Sequence, residues 1–384
     1  MAGATARSMT ASPVRLPAVR CELAGPADEP ALRRLLREGA MGGAVQLALT
    51  REPDYFASMA GEGEADRQAT FVLRERSSDQ VVAMGSRSVH AVCLHGRTER
   101  LGYLGQLRMA AGRRWRRRDI AHGFAFARAT RRSDELPFDL TSIVADNAPA
   151  RRLLERDLPS MPRYSPLAEL VTFVIPTPRR GRPTPEVRPA THDDLPAIAT
   201  VLEAYHRQRP LAPACSLSQL EARIDAGLLQ ADDFLVIERS GRVIACAAVQ
   251  DLRQHRQVLV TGYTPRLRRW RHAVNLGLRL RGRPRLPTPG TALAMGYLAC
   301  VAVHDDDAAT WSRLLTAARS VGRLRQLDHL VLGLCADHPA IPSIRRHIPA
   351  RAYRSQLYLV HDATVSPHTC GLDGRNLHVE LASL

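Results

Sequence analysis

The chain has 384 residues, 45% of them hydrophobic and 5% aromatic, with a formal net charge of +16 carried on 54 basic side chains that are all arginine. That length suits two cores of roughly 150 to 180 residues better than one. The composition excludes disordered and collagen-like classes, and no run approaches the roughly 18 apolar residues of a membrane-spanning helix. A basic surface invites nucleic acid. However, arginine without lysine follows from GC-rich coding as readily as from a partner, and the few aromatics do not alternate with basic residues as a single-strand stacking platform requires. Nucleic acid is therefore the lesser expectation.

Residues 1–18 mix Arg, Ser and Pro without an apolar block, which predicts a disordered leader rather than a secretory signal. Cys21, Cys93, Cys215, Cys246, Cys300, Cys335 and Cys370 form no CxxC pair and mostly fall in apolar runs, as expected of reduced structural thiols in a cytoplasmic protein. A short strand near Cys21 leads to a helix with apolar positions Ala31, Leu32, Leu35 and Leu36. Ala69–Glu75 and Val81–Cys93 then read as two strands about the Ser77-Ser78-Asp79 turn. Leu101–Met109 reads as a central strand feeding a helix from about Ile120, and Leu140–Ala145 as a further strand before a short helix and closing strands.

The same order returns after a Pro- and Arg-rich linker at 177–185. Asp28-Glu29-Pro30-Ala31-Leu32 reappears as Asp194-Leu195-Pro196-Ala197-Ile198, Gly102-Tyr103-Leu104 as Gly296-Tyr297-Leu298, and Ala145-Asp146-Asn147 as Ala336-Asp337-His338. Ile198, Val201 and Leu202 carry the second helix, Phe234–Glu238 and Val243–Val249 its hairpin about Ser240-Gly241, Ala294–Val303 its central strand and Leu330–Cys335 its next strand. The chain thus reads as one α/β module in tandem, 19–176 and 186–384, each with a mixed sheet, flanking helices and a core of its own. The second copy carries an insertion, 262–290, with eight arginines and no acid. Leu267, Trp270, Val274 and Leu278 predict an apolar stripe there, with a packed lid as the leading expectation and a membrane-surface or acidic-partner helix as the other.

Chemistry concentrates after the first central strand, in Leu107 to Ala121, where Arg113, Arg114, Arg116, Arg117 and Arg118 precede a helix start. Backbone N–H groups and guanidinium forks converging at a helix N-terminus suit a pyrophosphate; a solvated arginine loop is the plain alternative. The matching place in the second copy, Val303-His304-Asp305-Asp306-Asp307, sets three carboxylates where phosphates would sit, and these suit a helix N-terminus better than an anion. His304 and these acids lack further ligands at metal-binding spacing, so no metal is expected. No GxSxG, HExxH, Walker or zinc-ligand spacing occurs.

In this order of motifs the chain resembles the GNAT superfamily of acyl-CoA-dependent N-acyltransferases. Arg116-Arg117-Arg118-Asp119-Ile120-Ala121 falls on the family's Arg/Gln-x-x-Gly-x-Gly/Ala pyrophosphate loop, and Asn147-Ala148-Pro149-Ala150 on its Asn-x-x-Ala helix. The resemblance covers about 150 residues of the first copy and recurs weakly in the second. It implies transfer of an acyl group, expected to be acetyl, from acetyl-CoA or another acyl-CoA to a primary amine of a small molecule or peptide. Leu107 and Met109 would hold the pantetheine arm and polarise the carbonyl; Arg114, Arg116, Arg117, Arg118, Ile120 and Ala121 would hold the pyrophosphate, and Asn147 the arm. Glu99, or Gln106 through water, would take the amine proton. Two positions depart from the pattern: Asp119 replaces a glycine, and Leu154 stands where many members carry a tyrosine acid, leaving Tyr164 or Tyr103 for that role. A non-catalytic acyl-CoA sensor or scaffold and a basic nucleic-acid binder are the other readings. The second copy is expected to have lost the cofactor.

Overall fold

The computed structural model describes residues 17–62, 67–178, 181, 184–365 and 371–383; most of the leader and Cys370 fall outside them. The first half runs β1 (Val19–Leu23), α1 (Glu29–Glu38), β2 (Val45–Thr50), α2 (Tyr55–Glu62), β3 (Arg67–Glu75), β4 (Val81–Leu94), β5 (Arg97–Met109), α3 (Arg117–Ala129), β6 (Phe138–Val144), α4 (Ala148–Leu154) and β7 (Arg163–Pro176). The second runs β8 (Val187–Pro189), α5 (Leu195–Arg207), α6 (Leu217–Asp225), β9 (Phe234–Arg239), β10 (Arg242–Gln250), β11 (Gln257–Tyr263), α7 (Pro265–Leu280), β12 (Met295–Val303), α8 (Ala308–Leu324), β13 (His329–Cys335), α9 (Ile341–His347) and β14 (Arg351–His361). Among the described residues, no helix is long and apolar enough to cross a membrane.

Local chemistry explains the elements that the sequence foretold. Leu32, Leu35 and Leu36 bury one stripe of α1 to 1% exposure or less. Ser240 and Gly241 take φ of 51° and 72°, the left-handed pair that a two-residue hairpin between right-twisted strands requires. Each half is a mixed sheet with helices on both faces.

The halves do not close separately. Among the described residues, all strands but two form one sheet in the order β1-β3-β4-β5-β6-β14-β7-β13-β12-β10-β9-β8. The last strand of the first half, β7, pairs on both sides with strands of the second half, β13 and β14; β14 in turn pairs with β6 and β7. Cores follow the strands: Val171, Phe173 and Ile175 of β7 pack with Trp311, Leu314 and Leu330 of the second half. Leu101, Phe138 and Leu140 pack with Leu357, Leu359 and Leu377. Each half also has clusters of its own, Leu32, Leu36 and Met84 in the first and Ile198, Leu202 and Phe234 in the second, so the expected separate cores exist beside shared ones built where each final strand buries its apolar face in the other half. Two further seams join the halves: β2 pairs with β11, and Ala212 O and Ala214 N bond the backbone of Cys93 and Ala91.

The 262–290 segment also departs from expectation. Helix α7 forms, but none of its residues is buried, so it is not a packed lid. The six described cysteines are free thiols.

Candidate active site

Parallel strands β5 and β6 pair at only two positions, Gly102 with Asp139 and Tyr103 with Leu140, and then diverge. Beyond that point side chains bridge the gap: Thr141 Oγ1 donates to Leu104 O at 2.7 Å, and Tyr103 Oη lies 2.9 Å from Ser142 Oγ. Past Leu104 the β5 edge facing β6 is open. On its other edge β5 carries a bulge where Gly105 opposes Ser86 and Arg108 opposes Met84, and Gln106 takes φ of 51°. Bulges re-aim backbone groups beside active sites. The second half repeats the device: β12 and β13 pair at only three positions, and Cys300, with φ of 48°, stands at the matching bulge.

The root of the first cleft is held by buried charge. Arg87, at 2% exposure, donates to Asp139 Oδ1 from Nε at 3.0 Å and from Nη2 at 2.7 Å, and to Glu135 at 2.5 Å. Arg131 and Arg67 complete the neutralisation of those two carboxylates. Gly102 has no substitute here, since a Cβ would lie 2.0 Å from Asp139 Oδ1.

From the open edge the chain enters the arginine turn and α3, which begins at Arg117, three residues earlier than the sequence suggested. Ile120 N is therefore bonded within the helix, to Arg116 O at 3.4 Å, and Ile120 and Ala121 belong to the helix body. Of the first-turn N–H groups ahead of them, that of Asp119 bonds Arg116 O at 3.0 Å, which leaves those of Arg117 and Arg118 at the helix start. Arg114 and Arg116 are exposed and, among the described residues, meet no carboxylate. Arg113 pairs with Glu75 and lies over Trp115, Arg117 bonds Pro159 O, and Arg118 is half-buried. Asp119 is turned away from the turn: it is 1% exposed and its Oδ1 accepts Ala18 N–H at 3.1 Å. Its carboxylate therefore does not face the arginine turn but ties down the residues leading into β1. Leu107 is 43% exposed on the open edge, and Met109 is half-buried against Ala83. Asn147 caps α4, its side chain accepting Ala150 N–H at 3.3 Å.

The residues expected to move protons do not come together. Gln106 faces α2, where its amide lies 3.0 Å from the Arg51 guanidinium and 2.8 Å from Tyr55 Oη, so it is spent on a buried network. Glu99 stands seven residues up β5 from the bulge, about 23 Å along a strand, opposite Val92. Tyr164 packs between Phe124 and Tyr358, and burial raises its phenol pKa. Leu154 is core, beside Ile143 and Tyr358.

A cavity of about 220 Å³ opens instead where the halves meet, on the face of β5 that carries Leu101 and Tyr103. Its polar lining is His90, Tyr103, Gln219, Arg223, Glu380 and Ser383. Burial raises the Tyr103 phenol as well. Sequence reasoning missed His90, Arg223 and Glu380, which lie on three elements that only the interlocked fold brings together.

The second cleft is filled by the chain itself. Glu380 Oε1 accepts the N–H of Cys300 at 2.8 Å, and Ala382 packs against Ala299, Cys300 and Ala302. Asp307 caps α8 through Thr310 N at 2.8 Å. Asp306 is buried and accepts from Tyr205 Oη at 2.8 Å, Arg209 Nη2 at 2.6 Å and Trp311 Nε1 at 3.2 Å. Tyr205 also reaches His338 Nε2 at 2.8 Å, which closes the space between the turn and α9. Asp305 stays in solvent, paired with His304, and Asp307 is exposed at the start of α8.

Beside this plug lies a histidine cluster. His206 Nδ1 donates to Pro213 O at 2.9 Å, while its buried Nε2 has no hydrogen-bond partner and its ring lies 5.0 Å from that of His378. Burial lowers His206 to about 4 and lowers His338 and His378 as well. Because the folded values lie below the ordinary one near 6.5, the unfolded chain binds more protons and stability falls with pH from about 6.5 towards 4. His206 alone accounts for about 3 kcal/mol over that full window. The thermal midpoint is expected to drop steadily between pH 7 and pH 5, less so in His206→Phe; a flat profile would contradict the neutral cluster.

No family model and no curated protein matches the sequence. Solved structures do. Saccharomyces cerevisiae N-myristoyltransferase with bound myristoyl-CoA superposes with a TM-score of 0.60 at 10% identity, over 97% of this chain and 92% of that one. The shared feature is the fold, a large mixed sheet flanked by helices. A GCN5-related glucosamine N-acetyltransferase region of a fungal multidomain β-N-acetylglucosaminidase matches with a TM-score of 0.57 at 12% identity, over 90% of this chain and 38% of that one. A GCN5-related N-acetyltransferase from Sphaerobacter thermophilus matches with a TM-score of 0.50 at 16% identity, over 90% of this chain and 96% of that one.

Proposed function

We propose that the chain is an acyl-CoA-dependent N-acyltransferase working through its first half, with acetyl-CoA as the expected donor and a primary amine of a small molecule or peptide as acceptor. The observation that carries this reading is the asymmetry of the two clefts. In the first half an open strand edge runs towards exposed Arg114 and Arg116; in the second the matching edge and turn are occupied by Glu380, Asp306 and His338. The residues of the first cleft fit the donor: the β5 edge near Leu107 and Met109 for the pantetheine arm, Arg114, Arg116 and the start of α3 for the phosphates, and Asn147 at the rim of α4. Bound acyl-CoA supplies the thioester that the amine attacks.

The chain's own part is to position, deprotonate and exclude water. Backbone N–H groups beside the bulge stabilise negative charge on the carbonyl oxygen. His90, on the wall of the interdomain cavity with its Nε2 2.9 Å from Ser88 Oγ, takes the amine proton through water. Tyr103, on the same wall, is the neutral hydroxyl placed to return a proton to the departing thiolate. Glu380 is held by Cys300 N–H and serves to seat the tail.

His90→Gln is expected to lower kcat roughly 100-fold while leaving donor binding unchanged. The assay pairs acetyl-CoA, and separately myristoyl-CoA, with a panel of amines and peptides. Binding of the donor by calorimetry with no turnover of any acceptor would leave a sensor, and no binding at millimolar donor would end the proposal.

A further inference from the structure

Helix α7 projects from the second half with a face that nothing in the described chain covers. Its inner side is anchored: Asn275 exchanges hydrogen bonds with the Leu286 backbone at 2.7 and 2.9 Å, and Arg271 Nη1 donates to Pro287 O at 2.9 Å. Leu267 and Leu278, half-buried, lie on that side. The outer side carries an apolar stripe, with the exposed Arg266 and Arg269 beside it. Trp270, Ala273, Val274, Gly277 and Leu280 recur at i, i+3, i+4, i+7 and i+10, which puts them on one face. Trp270 is 59% exposed, Leu276 at its border 59%, and Leu280 80%.

Around this face the segment from Gly262 to Gly290 carries Arg266, Arg268, Arg269, Arg271, Arg279, Arg281, Arg283 and Arg285 and no acidic residue. None of these eight pairs with a carboxylate among the described residues, and all but Arg271 are exposed. Apolar exposure alone would fit many partners, and positive charge alone would fit a nucleic acid. Their combination narrows the choice. A nucleic-acid backbone would leave Trp270 and Leu280 against phosphates and water, and a second copy docked face to face would set eight arginines against eight like charges. An anionic bilayer satisfies both features at once, with the tryptophan and leucines in the boundary of the acyl chains and the guanidinium groups reaching up to phosphates.

We propose that α7 is a membrane-surface helix that docks this protein on anionic phospholipid through the Trp270–Leu280 face and its arginine rim. The site is independent of the acyl-CoA cleft, so its test requires no donor. The full chain is sedimented with vesicles of phosphatidylcholine containing 30% phosphatidylglycerol, and with vesicles of phosphatidylcholine alone. Binding is expected to the first and to be at least tenfold weaker to the second, with a blue shift of tryptophan emission that Trp270→Ser abolishes. Arg268→Gln, Arg269→Gln and Arg279→Gln combined should weaken partitioning on the order of 100-fold, about fivefold per charge. Trp270→Ser with Leu280→Ser should weaken it at least tenfold. These side chains are exposed, so circular dichroism and thermal midpoint should be unchanged. Absence of vesicle binding, equal binding by the variants, or retention on RNA or an acidic peptide without vesicle binding would overturn the proposal.

Discussion

Arg114→Ala combined with Arg116→Ala is expected to weaken acyl-CoA binding roughly 30- to 150-fold, while Asp305→Ala leaves it unchanged. Both arginines sit in the turn between the open β5 edge and α3, exposed and without a carboxylate partner among the described residues. A charge-assisted bond to phosphate contributes about 1.5–3 kcal/mol when well formed, and solvent at this turn reduces that to about 1–1.5 kcal/mol each. Two such losses give the stated factor, since 1.4 kcal/mol is tenfold. Removing these charges breaks no bond within the fold, so stability should hold. Asp305 occupies the corresponding turn of the second half but points to solvent at 85% exposure, so its loss tests whether that half takes part. Calorimetric titration of wild type and both variants with acetyl-CoA decides the matter; equal weakening by the two would refute the asymmetry between the clefts.

Asp306→Ala, one residue away, is expected to be among the most destabilising single changes in the chain. The carboxylate accepts from Tyr205, Arg209 and Trp311, and its removal strands the Arg209 guanidinium, 9% exposed, over the Tyr205 ring with its centre 3.5 Å from the ring centroid. Breaking a buried charge pair from one side costs about 3–5 kcal/mol, because the remaining charge stays desolvated. For a chain of 384 residues that corresponds to a fall in Tm of about 4–6 °C, given about 2.1 cal/mol/K of unfolding entropy per residue. The double variant Asp306→Ala with Arg209→Met should recover part of the loss, as the stranded charge is removed with its partner. Differential scanning fluorimetry at pH 7.5 is sufficient. A shift no larger than that of Asp305→Ala would mean that the second turn is not held together by charge.

These two expectations show how far the residues alone reach. The strands around each central turn were legible because their patterns are local: alternating runs, a Ser-Gly hairpin, a central strand ending in a turn. Asp119 was not, since a carboxylate in an arginine loop gives no sign that Ala18, a hundred residues earlier, will claim it. Gln106 was legible as a special position but not in its role, because the bulge that marks it also swings its amide towards Arg51 and Tyr55. His90 and Glu380 share a cavity only because β4 and the tail meet across the seam between the halves, a long-range pairing with no local signature. The stripe on α7 fixed the helix but not its direction; an amphipathic pattern is the same whether the apolar side is covered or bare.

The exchange of final strands has a further consequence. Cut the chain at the linker and β7 loses both of its neighbours, while β6 gains a naked edge; β14 and β13 suffer the same loss in the other piece. Neither fragment is a complete folding unit, since each is left with one strand that has no neighbour and another with a bare edge. The two halves are thus bound to one sheet without being alike: β5 parts from β6 after Tyr103 in the first, whereas the tail seats Glu380 and Ala382 against β12 in the second.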